Sequence, residues 1–351
     1  MNDALLTDTV SRLLAADKGL LAMDESTGTC NKRFAALGIP GTEEARRRYR
    51  EMLITTPDLD KCISGAILYD ETIRQARLDG TSFVKSLEGA GIIPGIKVDA
   101  GATDLAGHPG ERVTEGLDGL RARLQAYFEM GARFAKWRAV IRLGGVFPSR
   151  ACIAANSQSL ARYASLCQET GLVPIVEPEV LMEGDHSMAA CQEATEAVLR
   201  NVFHELTIQQ VRLEAMILKP NMVLAGLACP LQPSVNEVAD ATLATLRRVV
   251  PAAVPGIAFL SGGQSGDLAS ARLNALNSRA RSPCADAPWA LTFSFARAIQ
   301  QPALAIWAGK DANRQDAQQA LLHRARCNRA ARSGSYSPSI ERETRVISVN
   351  R

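Results

Sequence analysis

The chain has 351 residues, 46% of them hydrophobic and 22% charged, with 26 Gly and 16 Pro, which gives material for a large core and many turns without low complexity. A net charge of +3, dispersed along the chain, argues against a nucleic-acid surface and for a metabolite as the ligand. Eight scattered cysteines, Cys30, Cys62, Cys152, Cys167, Cys191, Cys229, Cys284 and Cys327, form no C-x-x-C pair and read as reduced thiols of a cytoplasmic protein, while no stretch reads as a signal peptide or is long enough to cross a bilayer.

Residues 4–16 place Leu5, Leu6, Val10, Leu13 and Leu14 at helical spacing, so an amphipathic helix lying on the body is expected first. An apolar strand, Gly19 to Asp24, follows and runs into the polar cluster Asp24, Glu25, Ser26 and Thr27. A polar helical stretch from Thr42 to Leu53 leads to a second strand, Ile63 to Tyr69. The alternation continues with strand Ile92 to Asp99, a helix near Leu117 to Met130, strand Phe134 to Ile141, a helix near Ser157 to Thr170, and strand Leu172 to Val180. A helix from Ser187 to Leu206 precedes the strand Met216 to Met222, where Lys219 is followed by the turn formers Pro220 and Asn221. Ser234 and Glu237 form an S-x-x-E capping box for a helix through Val249. The last two strands are Gly256 to Leu260, running into SGGQSG, and Ala290 to Phe295.

Eight short apolar strands separated by helices, with no linker between them, predict a single α/β domain, a closed (β/α)8 TIM barrel spanning residues 1–328. An open doubly wound sheet is the alternative, but no G-x-G-x-x-G follows the first strand. From about residue 329 to 351 the composition turns to Arg, Ser, Gly and Pro, which predicts a flexible C-terminal tail.

Three strands carry charged residues two apart: Lys97 with Asp99, Lys136 with Arg138, and Glu177 with Glu179. A strand repeats every two residues, so each pair shares one face, here the barrel interior. One such pair can be a structural salt bridge, and one strand-end lysine is usually an edge residue reaching for water. Three pairs together with Asp24 and Lys219 are poor stabilisers, and they cluster at the strand C-termini, where barrel enzymes keep their chemistry.

A lysine attacks a carbonyl only as the free amine, a form favoured by partial desolvation and a neighbouring cation such as Lys136. Lys219 is therefore a candidate Schiff-base former. Glu177 or Glu179 is placed to move protons during carbinolamine dehydration, and Asp24 to accept one from a substrate hydroxyl. The loop Ser261 to Gly266 offers bare backbone N–H groups leading into a helix, a phosphate cradle that Arg297 would complete, although glycines there also suit a plain tight turn. Lys97, Lys32, Arg33 and Arg138 form a second cationic group. The four histidines, His108, His186, His204 and His323, show no H-x-x-H spacing, so neither catalytic metal nor cofactor is expected.

These residues lie in strings that resemble the class I, Schiff-base fructose-bisphosphate aldolases: LAMDESTGTC, GIKVD, FAKWR, ARYASLCQ, VPIVEPEVL followed by GDH, LKPNM, FLSGGQS and PWALTFSFARA, in order from about residue 19 to residue 300. The resemblance implies cleavage of fructose 1,6-bisphosphate to dihydroxyacetone phosphate and glyceraldehyde 3-phosphate, in glycolysis and gluconeogenesis, by a cytoplasmic homotetramer. It implies Lys219 as the imine former, Glu177 as acid/base, Lys136 as its charged neighbour, Asp24 as base at the C4 hydroxyl and Glu179 as a supporting carboxylate. It also implies that the C1 phosphate sits at Ser261, Gly262, Gly263 and Arg297, and the other phosphate near Ser26, Thr29, Arg33, Lys97 and Arg138.

Two positions depart from the family pattern. The usual S-Y-G-R reads Ser294, Phe295, Ala296, Arg297 here, and the terminal tyrosine of the animal enzymes is replaced by an ending in Asn350 and Arg351, with Tyr336 too far inside to take its role. Two rival functions follow from the same residues: an aldolase for another phosphorylated ketose, such as sedoheptulose bisphosphate or fructose 1-phosphate, and a non-catalytic scaffold presenting a basic surface.

Overall fold

Alternation within the strands sorts the core into an inner and an outer layer. The computed structural model describes residues 3–15, 17–282 and 287–342; Cys284, Asn350 and Arg351 lie outside them. The strands are β1 (Gly19–Ala22), β2 (Ile63–Leu68), β3 (Ile93–Lys97), β4 (Gly101–Asp104), β5 (Arg112–Glu115), β6 (Phe134–Ile141), β7 (Val173–Val180), β8 (Ile217–Leu218), β9 (Gly256–Phe259) and β10 (Ala290–Phe295). Eight of them close a parallel barrel in the order β1-β10-β9-β8-β7-β6-β3-β2, as the strand–helix alternation predicts.

The remaining pair, β4 and β5, is an antiparallel hairpin inserted between β3 and the helix Leu120–Glu129. No strand is expected there from the sequence, because GATD and RVTE lack apolar alternation. The hairpin is fastened to the barrel by the Thr114 hydroxyl, which donates to the Arg138 carbonyl at 2.8 Å.

Inside the barrel, Leu20, Ile67, Ile93, Phe134, Val173, Ile175, Ile217 and Ala258 form one apolar cluster with Leu6, Val10 and Leu13 of the helix Asp3–Leu13. That helix closes the N-terminal end of the barrel. At Gly65 a Cβ would lie 2.6 Å from a Leu13 methyl, and the Ser64 hydroxyl donates to the Leu13 carbonyl at 2.6 Å. The outward faces pack under the surrounding helices, as Trp137 does against Tyr163, and Phe34, Tyr49 and Trp307 join three of the helices to one another.

The same alternation that seals the bottom with leucine and phenylalanine puts Lys97, Lys136, Arg138, Glu177, Glu179 and Lys219 at the top. β8 has two residues, and Pro220, which has no N–H to continue a ladder, follows immediately after Lys219. Lys219 is held at the strand end by its own N–H, which donates to the Val176 carbonyl at 2.8 Å.

The expected boundary at residue 329 falls inside the helix Arg314–Arg332. Arg and Ser content reads as a tail, yet Ala331 is fully buried and the Arg332 guanidinium donates to the carbonyls of Leu14 and Ala15 at 2.6 and 2.7 Å. A long apolar stem with a paired head lets arginine end a buried helix. A short helix, Pro338–Arg342, follows, and Tyr336 packs against the core. The rest of the expected tail, residues 343–351, lies outside the described residues.

Candidate active site

Four buried charges form an alternating chain at the top of the barrel. The Lys136 ammonium lies 2.7 Å from Asp24 and 3.2 Å from Glu177, and the Lys219 ammonium lies 3.1 Å from the other oxygen of Glu177. Asp24, Lys136, Glu177 and Lys219 thus alternate in sign and sum to zero, which is how four charges can share a buried site. Each is at most 8% exposed. Burial alone would raise the Asp24 carboxyl, but Lys136 and Lys219 outweigh it and hold the group down at about 2. Burial likewise opposes the charge on Lys136, and Asp24, Glu177 and Asp99 overcome it, so Lys136 stays a cation throughout the ordinary pH range.

The inward pairs are joined in a way that their spacing does not reveal. Lys97 does pair with Asp99, at 2.6 Å. Lys136 and Arg138 instead divide their partners across strands, Arg138 taking Glu179 at 2.5 Å while its backbone N–H donates to Asp99 at 3.2 Å. Glu179 is thereby committed to Arg138, and Glu177 alone lies between the two lysines.

These side chains line one cavity of about 570 Å³, with Ser26, Thr29, Lys32, Arg33, Ser261, Gly262 and Arg297 in its wall. On one side Ser26 caps the helix Thr27–Ala35, its hydroxyl accepting from the Thr29 N–H at 3.4 Å, so a helix N-terminus opens onto the cavity beside Lys97 and Arg138. Arg33 is bound to Glu25 at 2.5 Å and Glu25 also holds the buried Arg50 at 2.6 Å, so one carboxylate is shared by two guanidiniums and a net positive charge remains on this side of the cavity.

On the opposite side the Ser261 loop turns back through Gly262 and Gly263, at φ of +56° and +97°. Both angles are in the left-handed region that favours glycine, and a Cβ at Gly262 would lie 2.5 Å from the Met182 sulfur. Gly263 is not among the lining residues; it backs Arg297, whose guanidinium would lie 3.2 Å from a Cβ at that position. Ala296 takes φ −104° and ψ −88°, off the main helical region but not at the positive φ that would require glycine, and its methyl lies at the cavity wall.

Ser294 and Tyr69 also line the cavity, although the sequence assigns neither a role there. Ser294 is buried and its hydroxyl has no hydrogen-bond partner among the described residues. Its place in ALTFSF, two residues after Thr292 on the inward face, is the signal that points to it. Tyr69, at the end of β2, sets its ring 5.9 Å from the Lys97 ammonium.

Known proteins carry the same architecture. The family model described as fructose-bisphosphate aldolase class-I matches residues 5–349. A probable fructose-bisphosphate aldolase class 1 from Xanthomonas campestris is 54% identical over 333 residues, covering 94% of this chain and 98% of its own. The cytosolic fructose-bisphosphate aldolase 5 of Arabidopsis thaliana is 50% identical, covering 95% and 91%. The solved structure of fructose-bisphosphate aldolase from Plasmodium falciparum, in complex with TRAP and a small-molecule inhibitor, superposes with a TM-score of 0.92 at 46% identity over 95% of each chain. With the family model spanning nearly the whole chain and relatives at about half identity along it, the chain belongs to the class I fructose-bisphosphate aldolases and is a lyase of that class.

Proposed function

We propose that Lys219 forms the imine and that Glu177, Asp24 and Lys136 manage its protons, in the cleavage of fructose 1,6-bisphosphate. The observation that carries the assignment is the alternating chain from Asp24 to Lys219 between two cationic ends of one cavity. The Lys219 ammonium passes a proton to Glu177, 3.1 Å away, the freed amine adds to the C2 carbonyl, and Glu177 returns the proton to the departing hydroxyl so that water leaves and an iminium remains. Asp24 accepts the C4 hydroxyl proton, the C3–C4 bond breaks, and its electron pair passes into the iminium to give a neutral enamine and glyceraldehyde 3-phosphate. Protonation at C3 and hydrolysis then release dihydroxyacetone phosphate and restore the lysine.

The electrostatics support this order. A carboxylate held near 2 is a weak base in the resting site, and the Lys219 charge is one of the causes of that low value. Conversion of the iminium to the enamine removes that charge at the step in which Asp24 takes up its proton. Proton affinity therefore rises when it is used.

Lys136 keeps its charge and holds Asp24 and Glu177 apart in role, while Glu179 orients Arg138. Gly262, Ser261 and Arg297 bind the C1 phosphate with Gly263 shaping the turn, and Ser26, Thr29, Lys97, Arg138 and Arg33 face the other phosphate. Lys219→Ala should lose essentially all turnover, whereas Glu177→Gln should keep substrate binding and lose about 10²–10⁴-fold in kcat. Turnover surviving in Lys219→Ala would remove the assignment. Comparing kcat/KM for fructose 1,6-bisphosphate with that for a seven-carbon bisphosphate and for fructose 1-phosphate tests the preferred ketose. The working form is proposed to be a cytoplasmic homotetramer, in keeping with the cytosolic naming of one relative.

A further inference from the structure

Outside the reaction cavity, the C-terminal segment brings a third ligand type to a histidine and a cysteine. We infer that His323, Cys327 and Glu341 form a binding site for a thiophilic divalent cation, zinc above others. His323 and Cys327 are four residues apart on the helix Arg314–Arg332 and so share a face. The Cys327 sulfur lies 3.6 Å from Nε2 of His323. Tetrahedral zinc, with bonds of about 2.3 Å to sulfur and about 2.1 Å to nitrogen, holds those two atoms about 3.6 Å apart; the sulfur is also 4.0 Å from Nδ1 and so stands beside the ring, and the imidazole must rotate to turn its Nε2 lone pair onto a shared ion.

Glu341, from the helix Pro338–Arg342, supplies an oxygen, and the three ligand atoms all lie within 4.8 Å of one another. Its carboxylate is oriented on both sides. The Tyr336 hydroxyl donates to one oxygen at 2.8 Å and Arg324 donates to the other. Arg324 is itself fixed by the Ser270 hydroxyl at 2.7 Å. A carboxylate has about four acceptor positions, so these partners leave room for an ion while fixing the ligand's direction, the arrangement in which outer partners tune metal sites.

The donor set selects the ion. One sulfur, one imidazole nitrogen and one carboxylate oxygen suit zinc or cobalt and not magnesium or calcium, which take oxygen alone. Thiolate and carboxylate bring two negative charges to a doubly charged ion, one of them also paired with Arg324. A metal bound at Cys327 would displace the thiol proton to solvent. None of the three residues lines the reaction cavity, which separates this ion from the imine chemistry and gives it a different consequence: it would tie residues 338–342 to the helix Arg314–Arg332.

The test is a cobalt titration of the full metal-stripped chain, followed by zinc competition. One ion per chain with a thiolate-to-cobalt charge-transfer band, displaced by zinc, is expected for the wild type. Cys327→Ala should lose the band with turnover unchanged, and Glu341→Gln should weaken cobalt binding about tenfold or more, since even loss of an outer partner costs about 10–100-fold. Absence of a saturable band in the wild type, the same band in Cys327→Ala, or unaltered affinity in Glu341→Gln would each overturn the site and leave an ordinary hydrogen-bonded cluster. Unchanged turnover and circular dichroism in the Cys327→Ala chain show that its loss of signal is not loss of fold.

Discussion

Asp24 concentrates the electrostatics of the site in one carboxyl. Its value of about 2, against an ordinary 3.8, means that the folded state prefers the ionised form more strongly than the unfolded chain does. The stability this contributes is fully present above about 3.8 and is lost as the pH falls through about 2. At neutral pH the contribution is on the order of 2 kcal/mol, by the conversion of about 1.4 kcal/mol per unit. Asp24→Asn should therefore be less stable than the wild type at pH 7, with the gap closing between about pH 4 and pH 2, measured by denaturant unfolding across that range. A gap that stays constant down to about pH 2 would mean that the Lys136 pair contributes nothing through ionisation.

Among the elements, the Ser261 loop depends on two glycines that no other residue replaces without strain. Gly262→Ala places a methyl at a φ of +56° and 2.5 Å from the Met182 sulfur, which should cost about 1–2 kcal/mol and raise KM for fructose 1,6-bisphosphate while leaving imine formation at Lys219 possible. Thermal unfolding and steady-state kinetics check both halves; an unchanged KM would separate the loop from phosphate binding. The strands are legible in the sequence because each is a short apolar run bounded by polar or turn residues, and the period of two alone marks Lys97, Lys136, Arg138, Glu177 and Glu179 as inward residues. Partnership is not legible there. Asp24 and Lys136 come from the β1 and β6 regions, far apart in sequence, and only closure of the barrel brings them to 2.7 Å. The hairpin β4–β5 carries no apolar signal because its strands are polar, and the helix end at Arg332 carries none because its burial depends on the carbonyls of Leu14 and Ala15 near the start of the chain. His323 belongs to no histidine pair, since its neighbours are a cysteine one turn on and a glutamate from the next helix.

Along the barrel axis the labour is divided between two ends. Apolar side chains and the helix Asp3–Leu13 seal one end, and the other holds charges that would be costly to bury without one another. No described helix is long and apolar enough to cross a membrane. If the working form is a homotetramer, sedimentation equilibrium should return four times the mass of the 37.7 kDa chain; a single-chain mass in an active preparation would refute it. The proposed role of this framework is to make Lys219 an imine former, and the decisive measurement is borohydride reduction in the presence of dihydroxyacetone phosphate and a chelator, followed by peptide mass mapping. One stable adduct per chain, on Lys219, is expected. No adduct, or an adduct on another lysine, would contradict that role.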